Sequence, residues 1–171
     1  MESDKFITVC ETVNGQANVV IVDMAAGNNV QRRPIAAEAA IMNPLTKVIA
    51  LRAGPQLQIF NMELRAKMKT HQMTEAVVFW RWITPNTIGL VTAGAVYHWS
   101  IEGDSPPQKQ FDRHANLGPN TQIISYETSP DNQWLLLVGI SAGEGGRIDG
   151  NMQLYSKDKK VSQVLQGHAG T

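Results

Sequence analysis

Arg65, Lys67 and Lys69 fall at every second position of the stretch 57–69, LQIFNMELRAKMK. Side chains two apart on an extended chain share a face, so this spacing predicts a single ladder of three cations. Ala66 and Met68 point the other way, while Leu57, Ile59 and Phe60 open the stretch as an apolar strand. A row of positive charge beside an apolar surface suits one task in particular: docking an extended partner with large apolar residues and an acidic end. The same spacing also suits a solvated outer strand whose lysines discourage edge-to-edge association. Arg32-Arg33, just before Pro34, adds charge upstream. If the two segments lie on neighbouring units, Arg33 and the Arg65/Lys67/Lys69 row flank one groove.

Other groups offer less chemistry. His71, His114 and His168 each close a repeated unit and read as structural punctuation, and His98 lies inside a strand beside Trp99. A metal site needs ligands converging from several elements with cysteine or carboxylate company, so no metal and no cofactor are expected. Gly143-Glu144-Gly145-Gly146 lacks the Gly-Lys-Ser/Thr ending of a phosphate loop. Asp112-Arg113-His114 is expected to be a surface ion pair, since no serine or cysteine motif accompanies it. Cys10 alternates along a strand and is expected to be buried; with no second cysteine there is no internal disulfide, which suits the cytosol. Trp80, Trp82, Trp99 and Trp134 are candidate core or inter-blade packing residues, at least one of which could line a peptide groove. No nucleophile elbow or pair of catalytic carboxylates is present, so an enzyme is not expected.

The elements that must position these residues are strands. Runs at 5–11 and 18–24 flank the turn-forming Asn14-Gly15, and further strands are predicted at 47–52, 57–63, 77–83, 88–92, 96–102, 121–126, 134–140 and 152–156. No window carries a capped helical period, so little or no helix is expected. Fifteen basic and fifteen acidic residues cancel, which gives no overall field toward nucleic acid or an anionic membrane. The first residues, MESDKFITV, lack the pattern of a signal peptide, and no apolar run is long enough to span a membrane.

The strands repeat. Asn43-Pro44, Thr84-Pro85 and Ser129-Pro130 each introduce an apolar strand, and their prolines are 41 and 45 residues apart. Each unit continues through a glycine turn to a strand centred on an aromatic (Phe60, Trp99, Tyr155), then through a polar, basic strand to a histidine. A period of this length with four short strands marks a β-propeller blade. The units are 1–37 (without its first strand), 38–76, 77–119 and 120–165, followed by a tail. The fold class is therefore all-β, an incomplete β-propeller of four-stranded blades.

MESDKF, RRPI (32–35), AIMNP (40–44), LQIFN (57–61), VYHWSIEGDS (96–105), FDRH (111–114), MQLYS and KVSQ closely resemble the clathrin heavy chain family, and the likeness runs along essentially the whole sequence. The resemblance implies a seven-bladed N-terminal propeller, of which this sequence carries about four blades and none of the helical leg. It implies an adaptor hub in place of an enzyme, cytoplasmic, on clathrin-coated vesicles and coated pits in endocytosis and intracellular protein transport. Its partners would be endocytic adaptor and accessory proteins bound through short linear motifs. Light-chain binding and heavy-chain trimerisation would use parts absent from this sequence, and contact with membrane would be indirect. By the same resemblance, a groove between the first two blades takes the clathrin box, an extended leucine–apolar–any–apolar–acidic peptide. The matching positions are Arg33, Ile35, Ile49, Leu51, Gln58, Phe60, Arg65 and Lys67. Gln56 and Arg65 depart from the threonine and lysine usual in animal members. A second pocket would match Gln122, Ile124 and Ile140. A third groove, between the fourth and fifth blades, would match Trp134, Leu154, Lys159 (for the usual arginine), Val161 and Gln163, and is expected to be incomplete. The competing reading is a structural repeat scaffold that makes flat protein contacts and recognises no peptide.

Overall fold

The hairpin at Asn14-Gly15 shows how the sequence writes this fold. A two-residue turn that matches the twist of its strands needs both central residues at positive φ, and here Asn14 has φ 50° and Gly15 φ 79°. The turn joins β1 (Phe6–Val13) to β2 (Gln16–Asp23), which pairs in turn with β3 (Asn29–Arg33). A computed structural model describes residues 3–170. After this first, three-stranded sheet come three four-stranded antiparallel meanders. They are β4 (Ala39–Met42), β5 (Val48–Ala53), β6 (Gln56–Asn61) and β7 (Ala66–Gln72); β8 (Val77–Thr84), β9 (Thr87–Thr92), β10 (Ala95–Ser100) and β11 (Gln108–Asp112); and β12 (Gln122–Thr128), β13 (Trp134–Ala142), β14 (Ile148–Ser156) and β15 (Val161–Gln166). The only helical turns among the described residues are two short 3-10 turns, Ala115–Leu117 and Glu144–Gly146. The all-β propeller architecture expected from the repeats is the architecture observed. The glycine turn after β1 takes the place of those after β5 and β9, so β1 stands where a second strand stands elsewhere.

The sheets stack face to face because their middle strands are apolar on both sides. On β5, Val48, Ile49, Ala50 and Leu51 are all buried. Alternation then sends Ile49 and Leu51 into one cluster with Val19 and Ile21 of β2, while Val48 and Ala50 join Trp82, Ile88, Leu90 and Trp99 of the third sheet. A third cluster joins Val91, Val96 and Phe111 to Ile123, Tyr126, Leu135 and Leu137, between the third and fourth sheets.

Polar side chains pin two of these interfaces. Asn43 Nδ2 donates to the Pro85 carbonyl at 2.6 Å, and Gln153 Nε2 donates to the Asp112 carbonyl at 3.0 Å while its Oε1 accepts from the His114 N–H at 2.8 Å. Arg113 corrects the ion pair expected with Asp112. Its guanidinium donates to the carbonyls of Thr92, Leu117 and Gly118, whereas Asp112 pairs with Lys109. Three converging carbonyls suit a rigid donor fork, and a single bidentate carboxylate would leave three of its five N–H donors unmet. Cys10 is half-buried, and burial raises its thiol pKa.

His98 and Tyr126 join the third and fourth sheets, with Nε2 2.7 Å from the phenolic oxygen. Gly89 makes room for this contact, since a Cβ there would lie 2.7 Å from two Tyr126 ring carbons. Burial first, and the charge of Lys157 second, push the His98 pKa down to about 4. An unfolded histidine near 6.5 binds a proton that the folded one refuses, so this pair's stability is present above pH ~6.5 and is lost as pH falls toward 4. Thermal melts across that window should show the loss, about 3 kcal/mol in all. His98→Gln, which keeps a hydrogen-bonding side chain without the titration, should flatten the profile by one proton's worth of slope.

Candidate functional site

The groove between the first two sheets is built from β5 and β6. Ile49 pairs with Phe60 and Leu51 with Gln58, so these four side chains face the first sheet together. Ile49 and Leu51 are 0% and 6% exposed and belong to the core cluster that Ile35, Phe60 and Met62 pack against, so they support the cleft without lining it. Above them opens a cleft of about 160 Å3 lined by Arg33, Pro34, Ile35, Phe60, Met62 and Arg65. Gln58 is half-buried two residues along β6, and exposed Lys67 on β7 pairs directly with Phe60. The structure thus brings Arg33, Ile35, Phe60 and Arg65 around one cleft, with Lys67 on the adjoining strand. Met62 and Pro34 line it too and were missed. The signal for Met62 was present, since Gln58, Phe60 and Met62 alternate onto one side of the chain.

The three-cation ladder does not form. Arg65 precedes β7, in a turn at φ 52°, a conformation costly for a residue with a Cβ. On β7 itself the register slips: Ile59 pairs with Lys69 and Phe60 with Lys67, leaving Met68 without a partner. Such a bulge breaks strict alternation. Lys69 turns toward the third sheet, where Nζ donates to the carbonyls of Ser100 (2.7 Å) and Ser105 (2.8 Å) and lies 5.6 Å from the centre of the Trp99 ring. The cations left to the groove are Arg33, Arg65 and Lys67.

None of these three forms an ion pair among the described residues, although Arg32, next door, binds Glu11 at 2.6 Å. Arg33 Nη2 donates to Gln31 Oε1 at 3.3 Å, and its buried Nε has no partner among the described residues. A buried donor left unmade is costly, and an incoming acceptor would satisfy it. The repeated histidines are engaged structurally: the rings of His71 and Trp99 lie 6.3 Å apart, His114 Nδ1 accepts from the Asn116 N–H, and His168 Nε2 lies 3.0 Å from the Ile148 carbonyl.

Residues 118–158 match a family model described as the clathrin propeller repeat. The chain is 59% identical over its full 171 residues to a clathrin heavy chain of Drosophila melanogaster. Over 169 residues, 99% of the chain, it is also 59% identical to clathrin heavy chain 2 of Homo sapiens. The chain belongs to the clathrin heavy chain family. It spans 10% of the length of either relative. A hydrazine synthase from Kuenenia stuttgartiensis matches 95% of the chain, and 50% of its own, with a TM-score of 0.61 and 10% identity, a likeness of fold alone.

The two other positions that the clathrin heavy chain resemblance pointed to are less compact. Gln122 and Ile140 pair directly across β12 and β13, whereas Ile124 is the unpaired residue of a register shift. Ile124 lies in a hollow along the inner strands with Phe79, Trp80 and Trp82, and Gln122 and Ile140 do not line it. On the last sheet, Leu154 pairs with Gln163 and Ser156 with both Trp134 and Val161. Trp134 and Val161, 44% and 55% exposed, lie on an open face with Leu154 and Gln163. Lys159 follows in the turn before β15.

Proposed function

We propose that this chain is the peptide-binding part of a vesicle-coat hub, taking clathrin-box-type segments of endocytic adaptor and accessory proteins between its first two sheets. The observation that carries this reading is the apolar cleft lined by Arg33 and Arg65, with Lys67 on the adjoining strand and none of the three in an ion pair among the described residues. An extended peptide would lay its large apolar side chains against Ile35, Phe60 and Met62, which rest on the core residues Ile49 and Leu51. Its acidic end would meet Arg65 and Lys67, and Arg33 would supply its unmade donor. Gln58 would hydrogen-bond the peptide backbone or a polar side chain. Gln122, Ile124 and Ile140, and separately Trp134, Leu154, Lys159, Val161 and Gln163, would take further motifs. The role is non-catalytic and the setting cytoplasmic, on coated pits and vesicles. Single sites of this size bind weakly, at about micromolar, and gain strength from multivalency.

Phe60→Ala tests this use of the cleft. Truncating a central aromatic anchor should weaken a box peptide at least ~10-fold, read by fluorescence anisotropy beside a circular dichroism spectrum of folded β-structure. Unchanged affinity would refute the placement. The structural scaffold reading draws on the exposed Ile7, Val9 and Val30 of the first sheet and would leave acidic peptides without effect.

A further inference from the structure

Three Ser/Thr-Pro steps occur in the sequence, at Thr84-Pro85, Ser105-Pro106 and Ser129-Pro130. Two of the hydroxyls are built into turns. Thr84 Oγ1 accepts from the Asn86 N–H at 3.2 Å, and the Pro85 carbonyl is held by Asn43 of the second sheet. Ser129 Oγ donates to Asp131 Oδ1 and accepts from the Trp134 N–H at 3.0 Å.

Ser105 differs. It is exposed, lies outside any strand or turn in the connection from β10 to β11, and its hydroxyl has no partner among the described residues. Pro106 lacks an N–H and biases Ser105 toward an extended backbone. An accessible serine in extended chain, followed at once by proline, is the form a proline-directed kinase can accept without unfolding its substrate. A receiver for the product is already in place. Lys69 Nζ donates to the Ser105 carbonyl at 2.8 Å, so a cation stands within one residue's reach of the hydroxyl. Lys69 has no carboxylate ion pair among the described residues. Burial lowers the Lys69 pKa, and Asp104 lies near enough to offset part of that without forming an ion pair with it. Glu102 accepts from Asn86 Nδ2 at 2.9 Å, so a dianionic phosphate is the stronger claimant for the ammonium.

We propose that Ser105 is a phosphoacceptor for a proline-directed serine/threonine kinase, and that its phosphate is held by Lys69. In the transfer, Ser105 Oγ bonds to the γ-phosphorus of ATP as the bond from that phosphorus to the β–γ bridging oxygen breaks. ADP leaves, and the hydroxyl proton passes through the kinase's catalytic carboxylate to solvent. The phosphate brings a charge of about −1.5 to −2 and strong acceptor oxygens. Its contact with Lys69 spans the second and third sheets, so phosphorylation tightens their outer edge, where Lys69 already bridges to Ser100.

The test treats the intact protein with a proline-directed kinase and Mg-ATP and maps phosphate by mass spectrometry. Phosphate is expected on Ser105, lost in Ser105→Ala, largely lost in Pro106→Ala, and absent from Thr84 and Ser129. Absence of phosphate from Ser105, or preference for either of the other two steps, would overturn the assignment. Hydrogen exchange over residues 100–108 should slow on phosphorylation, stay slow in Lys69→Arg, and lose the effect in Lys69→Gln. Equal slowing in Lys69→Gln would overturn the role given to Lys69.

Discussion

The Arg65→Glu/Lys67→Glu variant is expected to bind a clathrin-box peptide at least ~100-fold more weakly than the parent, a loss of about 3 kcal/mol or more. Both side chains are exposed, and neither makes an ion pair among the described residues, so reversing them removes no structural contact. Arg65 sits in a turn and Lys67 on an outer strand, where the fold tolerates either sign of charge. For a peptide with an acidic end, attraction becomes repulsion at both positions, and like-charge juxtaposition costs several kcal/mol. Circular dichroism should be unchanged while the anisotropy titration goes flat. Lys69→Glu makes the contrast. Its ammonium holds two carbonyls and faces the Trp99 ring, so that variant should lose stability before it loses peptide.

Trp99→Ala should destabilise the protein by about 3–5 kcal/mol. Its side chain is 1% exposed and packs among Val48, Leu57 and Ile59 of the second sheet, with Lys69 over its ring. Truncation opens a cavity at a sheet–sheet interface and removes that cation's platform. Trp99→Phe should cost much less, because the indole Nε1 is buried without a hydrogen-bond partner among the described residues and its loss leaves no acceptor orphaned. Denaturant melts of the two variants should therefore differ by most of the alanine penalty. Equal destabilisation would mean that Nε1 has a partner in solution.

The features legible in the sequence were those written in local pattern. Asn14-Gly15 announced its hairpin through backbone preference alone. The Val48-Ile49-Ala50-Leu51 run announced an apolar strand, and the recurring Pro-led units announced the blades of a propeller. Arg33 and Arg65 were drawn from charge spacing as cations flanking a groove, the family resemblance added Ile35 and Phe60, and the structure gathers the four around one cleft. What escaped depended on register and on long-range partners. One unpaired residue, Met68, turns Lys69 from the groove toward carbonyls more than thirty residues away. Arg113 found three carbonyls where its neighbour Asp112 looked like the obvious partner. Alternation carries no information about a bulge, and sequence adjacency carries none about which acceptors a fold delivers.

The central claim is that this cleft reads an apolar peptide through its acidic end. The most direct measurement is an anisotropy titration of the folded protein with a labelled clathrin-box peptide, repeated with the acidic end neutralised and at raised salt. Saturable binding at about micromolar that falls with salt and disappears on neutralisation is the expected result. Equal binding of the charged and neutralised peptides, or no binding by protein whose circular dichroism shows intact β-structure, would contradict it.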